Sequence, residues 1–157
     1  MTTTRNCGAC SLCCKLLHIK ELNKHIDKWC PHCAPGKRGC TIYAQRPAGC
    51  IDFLCSWLVD DDGTVFGDEW FPAKCKMVLS VGDDKVLTVH VDPGFPNAWR
   101  NEPYYSQLLH FAKLTKEAKR GHVQLRIGHR FITLGANGSE REAIHTQAYI
   151  EGRTEPL

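Results

Sequence analysis

Nine of the ten cysteines in this 157-residue chain fall between Cys7 and Cys55, and the tenth is Cys75. They come as Cys7-x-x-Cys10-x-x-Cys13-Cys14, then Cys30-x-x-Cys33, Cys40, Cys50 and Cys55. A C-x-x-C turn lets two thiolates meet one ion while the intervening backbone amides point at the sulfurs and soften their charge. Small residues such as Gly8 and Ala9 suit that tight knuckle. Repeated over so short a span, the spacing predicts metal coordination, with these nine cysteines as its ligands. One tetrahedral site uses four, so the count favours two mononuclear sites with spare thiols, or one cluster plus one such site. Adjacent Cys13 and Cys14 are expected to point apart and serve different sites, or one to stay unligated. Cys75, at a strand entrance away from the group, reads as a buried structural thiol.

All-thiolate sites suit zinc, Cu(I) and iron–sulfur clusters alike. Zinc is placed first, because abundant C-x-x-C pairs serve structural zinc without assembly machinery. An iron–sulfur cluster is the alternative, since C-x-x-C-x-x-C with a remote cysteine resembles the ferredoxin arrangement, although Pro47 precedes Cys50 rather than following it. A zinc ion with four thiolates carries −2, so two such sites would move the formal charge from +3 to −1. The mild basicity therefore does not announce a nucleic-acid partner.

The cysteine motifs carry a family likeness. Cys7-x-x-Cys10-x-x-Cys13-Cys14 resembles the opening of the YkgJ-like cysteine-cluster proteins, a zinc- or iron-chelating C-x-x-C-x-x-C-C domain. The family's second hallmark, C-x-I-Y-x-x-R-P-x-x-C, matches Cys40-Thr41-Ile42-Tyr43-Ala44-Gln45-Arg46-Pro47-Ala48-Gly49-Cys50. The resemblance covers roughly residues 7 to 57, and Asp92 to Trp99 is similar to one subgroup. Ile51 stands where the family has Arg, so no role is carried over there. What the resemblance implies is metal chelation. Some relatives look like flagellin lysine methylases holding an iron–sulfur centre, but a shared cluster does not transfer a reaction. On physical grounds Ile42 and Tyr43 are expected to lid the sulfurs, Arg46 to offset thiolate charge, and Pro47 to fix the turn that brings Cys50 round.

Other candidates are weaker. His32 sits inside a knuckle and is expected to point outward, and His18 follows Cys14 by four residues. His90, His110, His122, His129 and His145 are scattered without H-E-x-x-H or facial-triad spacing. Asp60, Asp62 and Glu69 approach an EF-hand pattern whose first position would be Leu58, which cannot ligand, so the segment reads as a solvated acidic loop. Lys113, Lys116, Lys119 and Arg120 complement the end of a helix dipole. No Ser/His/Asp set, phosphate loop or dinucleotide fingerprint stands out, which leaves enzyme or binding protein open.

The elements that must position these residues divide near residue 75. Composition, with 43% hydrophobic and 24% charged residues, is that of an ordinary globular chain and excludes disorder. The fold expected is α+β: a Cys-rich, metal-stapled knot with a short helix over 1–75, then a small β-β-α-β-β unit with antiparallel strands over 76–157, together one compact domain. In the knot only Leu16 to Trp29 looks helical, between turns at Pro31, Pro35, Gly36 and Gly39. Met77–Val81 and Leu87–Val91 read as strands about a Gly82-Asp83-Asp84 turn, the second with one buried face. A helix follows, capped by Asn101 and ended by Gly121, with Tyr105, Leu108, Leu109 and Ala112 as its stripe. Val123 to Ile127 and Arg130 to Leu134 read as two more strands, and the tail from Gly135 as loose, with Ser139-x-x-Glu142 offering a cap for a short helix. Residues 1–6 contain no apolar signal core and no stretch approaches 18 apolar residues, which predicts a cytoplasmic chain without a membrane span.

Overall fold

The computed structural model describes residues 5–8, 10–33 and 39–153. Residues 1–4 and the turn residues Ala9, Pro35 and Gly36 lie outside them. Period-two apolar patterns in the first four strands underlie a five-stranded sheet ordered β1-β2-β3-β4-β5, with β1 Met77–Val81, β2 Leu87–Val91, β3 Val123–Ile127, β4 Arg130–Leu134 and β5 Glu140–Ile144.

The sheet is mixed rather than antiparallel throughout. β2 and β3 run parallel, Leu87 beside Val123 and Val91 beside Ile127, while the other three pairings are antiparallel. The helix between β2 and β3 accounts for this: a crossover long enough to carry a helix returns the chain in the same direction. That helix, α5 (Tyr104–Ala118), begins after Pro103 rather than at Asn101, and Glu102 accepts the Ser106 amide and hydroxyl across its first turn. It ends at Lys119 in the left-handed conformation, before Gly121. Gly121 serves a close approach instead: a Cβ there would stand 1.9 Å from the Lys85 carbonyl oxygen.

Met77, Leu79, Leu87, Val89, Val91, Val123, Leu125 and Leu134 bury one face of the sheet under Leu108 and Ala112 of α5. Trp99 and, from the acidic segment, Phe66 and Trp70 complete that core. The segment 58–72 is therefore anchored by two aromatics, with Trp70 Nε1 donating to Gln107 and the Tyr104 hydroxyl to the Glu69 carbonyl. Asp60 accepts the Val65 and Phe66 amides at 2.9 and 2.6 Å and so closes the acidic loop on itself.

The other face of the sheet is covered as well, which corrects the expectation of one buried face for β2. His90 is buried beside Arg126, and Val78 packs on Leu12 and Leu16 of α1 (Leu12–Leu16). The expected Leu16–Trp29 helix does not form. α1 stops at Leu16, Leu17 turns extended, Ile19 bridges Lys24, and Asn23 and Asp27 adopt positive φ. Short helices α2 (Ala48–Asp52), α3 (Ser56–Val59) and α4 (Pro72–Cys75) complete this layer.

Nor is the tail loose over its described residues, 135–153. β5 pairs with β4, with Arg130 on Glu142 at 2.9 Å, and α6 (Gln147–Arg153) seats buried Ile150. β5 is exposed at every position and lacks apolar alternation, so period-two hydrophobicity could not mark it as a strand. Among the described residues no helix is long and apolar enough to cross a membrane.

Candidate metal centre

The first knuckle forms because Gly8 takes a positive φ of 49° and the Cys10 amide closes on the Cys7 carbonyl at 2.7 Å. Cys13 and Cys14 follow on α1. The second knuckle closes when the Cys33 amide donates to the Cys30 carbonyl at 3.1 Å, and the Cys30 amide donates to the Cys14 carbonyl at 3.0 Å. Cys40 arrives by an antiparallel bridge to Cys33. The preceding Gly39, at φ 104°, lets this strand pass the first knuckle: a Cβ there would lie 3.2 Å from the Gly8 carbonyl oxygen. Pro47 opens α2, which carries Cys50, and Cys55 stands at the start of α3.

These segments converge on one apolar cavity of about 140 Å³. Cys7, Cys10, Cys13, Cys14, Cys30, Cys40, Cys50 and Cys55 line it. Cys33 does not, but reaches the group through a hydrogen bond between its thiol and that of Cys14. Ile42, Tyr43 and Arg46 line the same cavity, and Arg46 lies over the Tyr43 ring at 3.9 Å while donating to the Tyr43 carbonyl. Cys75 does not line the cavity: it is buried against the Trp70 and Met77 carbonyls, within electrostatic reach of Cys10 and Cys55, and desolvation pushes its thiol up to about 12. All ten cysteines carry free thiols.

Mutual influence divides the thiols into two overlapping sets. Cys7, Cys10 and Cys55 lie within electrostatic reach of one another, and Cys50 lies within reach of Cys14, Cys30 and Cys40. Cys13 and Cys14 join the sets, because their thiols hydrogen-bond instead of pointing apart as expected. The bond from Cys13 draws Cys14 down to about 7, with Lys24 and Cys33 assisting against burial. Burial, then the neighbouring thiols, push Cys50 up to about 11, and burial also raises Cys7, Cys10 and Cys55. Thiols that resist ionisation in one another's company are the condition that a bound cation relieves.

Two cations already lean on the group. Arg46 lowers Cys7 as expected for an offsetting charge. Lys24 had no signal in the sequence. It is 4% exposed, donates to the Lys15 and Leu17 carbonyls at the end of α1, and faces Cys14, Cys30 and Asp27. Burial draws its amine down to about 8. A further fit to a charged occupant comes from Trp57, which lines the cavity. Its Nε1–H is buried without an acceptor among the described residues, a donor suited to a thiolate or sulfide that carries more charge than a thiol.

Charge also bolts the site to the sheet. The guanidinium of Arg126, 1% exposed, places its five donors on His90, Leu16, Gly128 and both oxygens of Asp27. Lys15 reaches Asp92 at 2.7 Å. Among the described residues, the set of metal-binding donor atoms gathered within 4.8 Å of one another is His18, His25 and Glu151 rather than a cysteine triple. His32, inside the second knuckle, contributes its backbone carbonyl to Thr41.

No family model, curated protein or solved structure matches the chain.

Proposed function

We propose that this protein chelates metal through Cys7, Cys10, Cys13, Cys14, Cys30, Cys33, Cys40, Cys50 and Cys55, with zinc as the ion. The observation that carries the reading is convergence: eight of these thiols, from four separate stretches of chain, line a single apolar cavity edged by Arg46 and Trp57. Disulfide staples would use the same cysteines, but all are free, which fits a reducing cytoplasm. Bound zinc would close two thiolate sets, one about Cys7, Cys10 and Cys55 and one about Cys30, Cys40 and Cys50, with Cys13 and Cys14 at the junction. Binding of that kind couples to folding, at about 10 kcal/mol per structural site.

A single shared cavity, rather than two separate four-sulfur pockets, favours a second reading in which the occupant is an iron–sulfur cluster. One experiment separates the two. Untagged protein purified anaerobically is assayed for metal, acid-labile sulfide and optical absorbance. Colourless protein holding zinc supports the first reading, and brown protein with iron and sulfide supports the second. Metal-free protein with intact native structure overturns both.

A further inference from the structure

Outside the thiol cavity, two histidines and a glutamate meet from opposite ends of the chain. His18 and His25 stand on the irregular segment after α1, and Glu151 stands on α6. One donor atom from each lies within 4.8 Å of the other two. His25 Nδ1 is 3.0 Å from Glu151 Oε1, and His18 Nδ1 is 3.8 Å from Glu151 Oε2. Ligands about 2.0–2.1 Å from a tetrahedral ion sit roughly 3.3 Å apart, and the His25–Glu151 edge of 3.0 Å lies close to that.

The surroundings hold each donor in place. Glu151 is 13% exposed and accepts the Ile26 amide at 3.2 Å and the Gln147 side-chain amide at 2.9 Å. Both are partners that orient a carboxylate without neutralising it. His18 is 10% exposed and donates from Nδ1 to the Lys24 carbonyl at 2.9 Å. The His18 and His25 rings lie stacked, 6.4 Å between centroids. His25 is half exposed, which leaves an approach from solvent.

We infer that His18, His25 and Glu151 form a second metal site, independent of the thiolates, for a zinc-class divalent ion with a coordination position left for water. Two imidazoles and one carboxylate are borderline-hard donors, a set that suits zinc or ferrous iron. Without the ion, His25 Nδ1 donates to Glu151, and the ion would replace that proton; His18, whose Nδ1–H is engaged on the Lys24 carbonyl, would bind through Nε2. Filling the site ties α6 to the cysteine-rich layer.

Co²⁺ titrated into the protein as isolated, with its cysteines intact, tests this. The expected product is a species with weak visible bands and no intense sulfur-to-cobalt charge transfer. His25→Asn and Glu151→Gln should each weaken its formation at least tenfold, because even a partner behind a ligand is worth that much. A titration by Zn²⁺ followed through the ring signals of the eight histidines guards against misfolded variants, and His18 and His25 should shift first. Absence of that species, equal titration of wild type and variants, or shifts at other histidines overturns the site. Failure of the thiolate reading would instead appear as unchanged metal content of the isolated protein in cysteine variants, so the two readings fail separately.

Discussion

The sheet and the cysteine layer are built from the same chain with different materials. From Met77 onward the protein buries a continuous core, with Met77, Val89, Val91, Leu108, Val123 and Leu125 fully enclosed and a 15-residue helix across them. The described residues between 5 and 59 enclose few apolar side chains, chiefly Leu12, Leu16, Leu17, Ile19 and Ile26, and their helices are five residues long or shorter. Helices that short do not persist unaided. What replaces an apolar core there is polar: knuckle turns, Lys24 on the end of α1, Arg126 reaching through from β3, and a cavity walled by thiols. The difference teaches that one half is stabilised by burial, while the other lacks such a core and, on the proposed function, would depend on what its thiols hold.

Substitutions at Cys14, Leu125, Arg126 and His90 either break that contrast or sharpen it. The largest effect belongs to Cys14→Ala, which removes the thiol joining the two sets. A whole metal equivalent should be lost per chain while the sheet's amides stay protected, read by metal analysis and hydrogen exchange. Leu125→Ala should do the converse, costing about 4 kcal/mol of global stability in urea unfolding without changing metal content, since a fully enclosed leucine leaves a cavity in the central strands. Arg126→Met cuts the link between halves. It strands Asp27, which keeps some solvent contact, and should cost about 3 kcal/mol by the same measurement.

His90 gives the smallest and most specific signal. Burial, and then the Arg126 charge, hold it neutral well below its ordinary value of 6.5. The unfolded chain takes up a proton below that pH which the folded chain refuses, so stability falls as the solution is acidified. The contribution approaches about 1.4 kcal/mol per pH unit. His90→Gln, which keeps an acceptor for Arg126, should flatten that slope between pH 6.5 and 5.5 in urea unfolding.

Much of the sheet was legible in the sequence, because β1 to β4 alternate cleanly and α5 has a regular apolar stripe. Its parallel pairing followed from the crossover helix, whose consequence the strand patterns alone do not state. The cysteine spacing announced the convergence of thiols, and Cys75 is buried outside the cavity, although within electrostatic reach of Cys10 and Cys55. Other features left no local trace. Arg126 occupies what looks like a solvent position on β3, and its role depends on Leu16 and Asp27, some hundred residues earlier. Lys24 looks like an ordinary surface lysine, β5 has no apolar face, and Glu151 gains meaning only beside His18 and His25. Long-range polar partners have no periodicity to betray them.

The central claim is that metal in the thiol cavity holds the cysteine layer together while the sheet stands on its own core. Hydrogen exchange on the purified protein, before and after a strong chelator under reducing conditions, tests it most directly. The account predicts that amides of residues 10–33 and 39–59 lose protection on chelation while those of β2 and β3 keep theirs. Equal protection in both regions with the metal removed would contradict it.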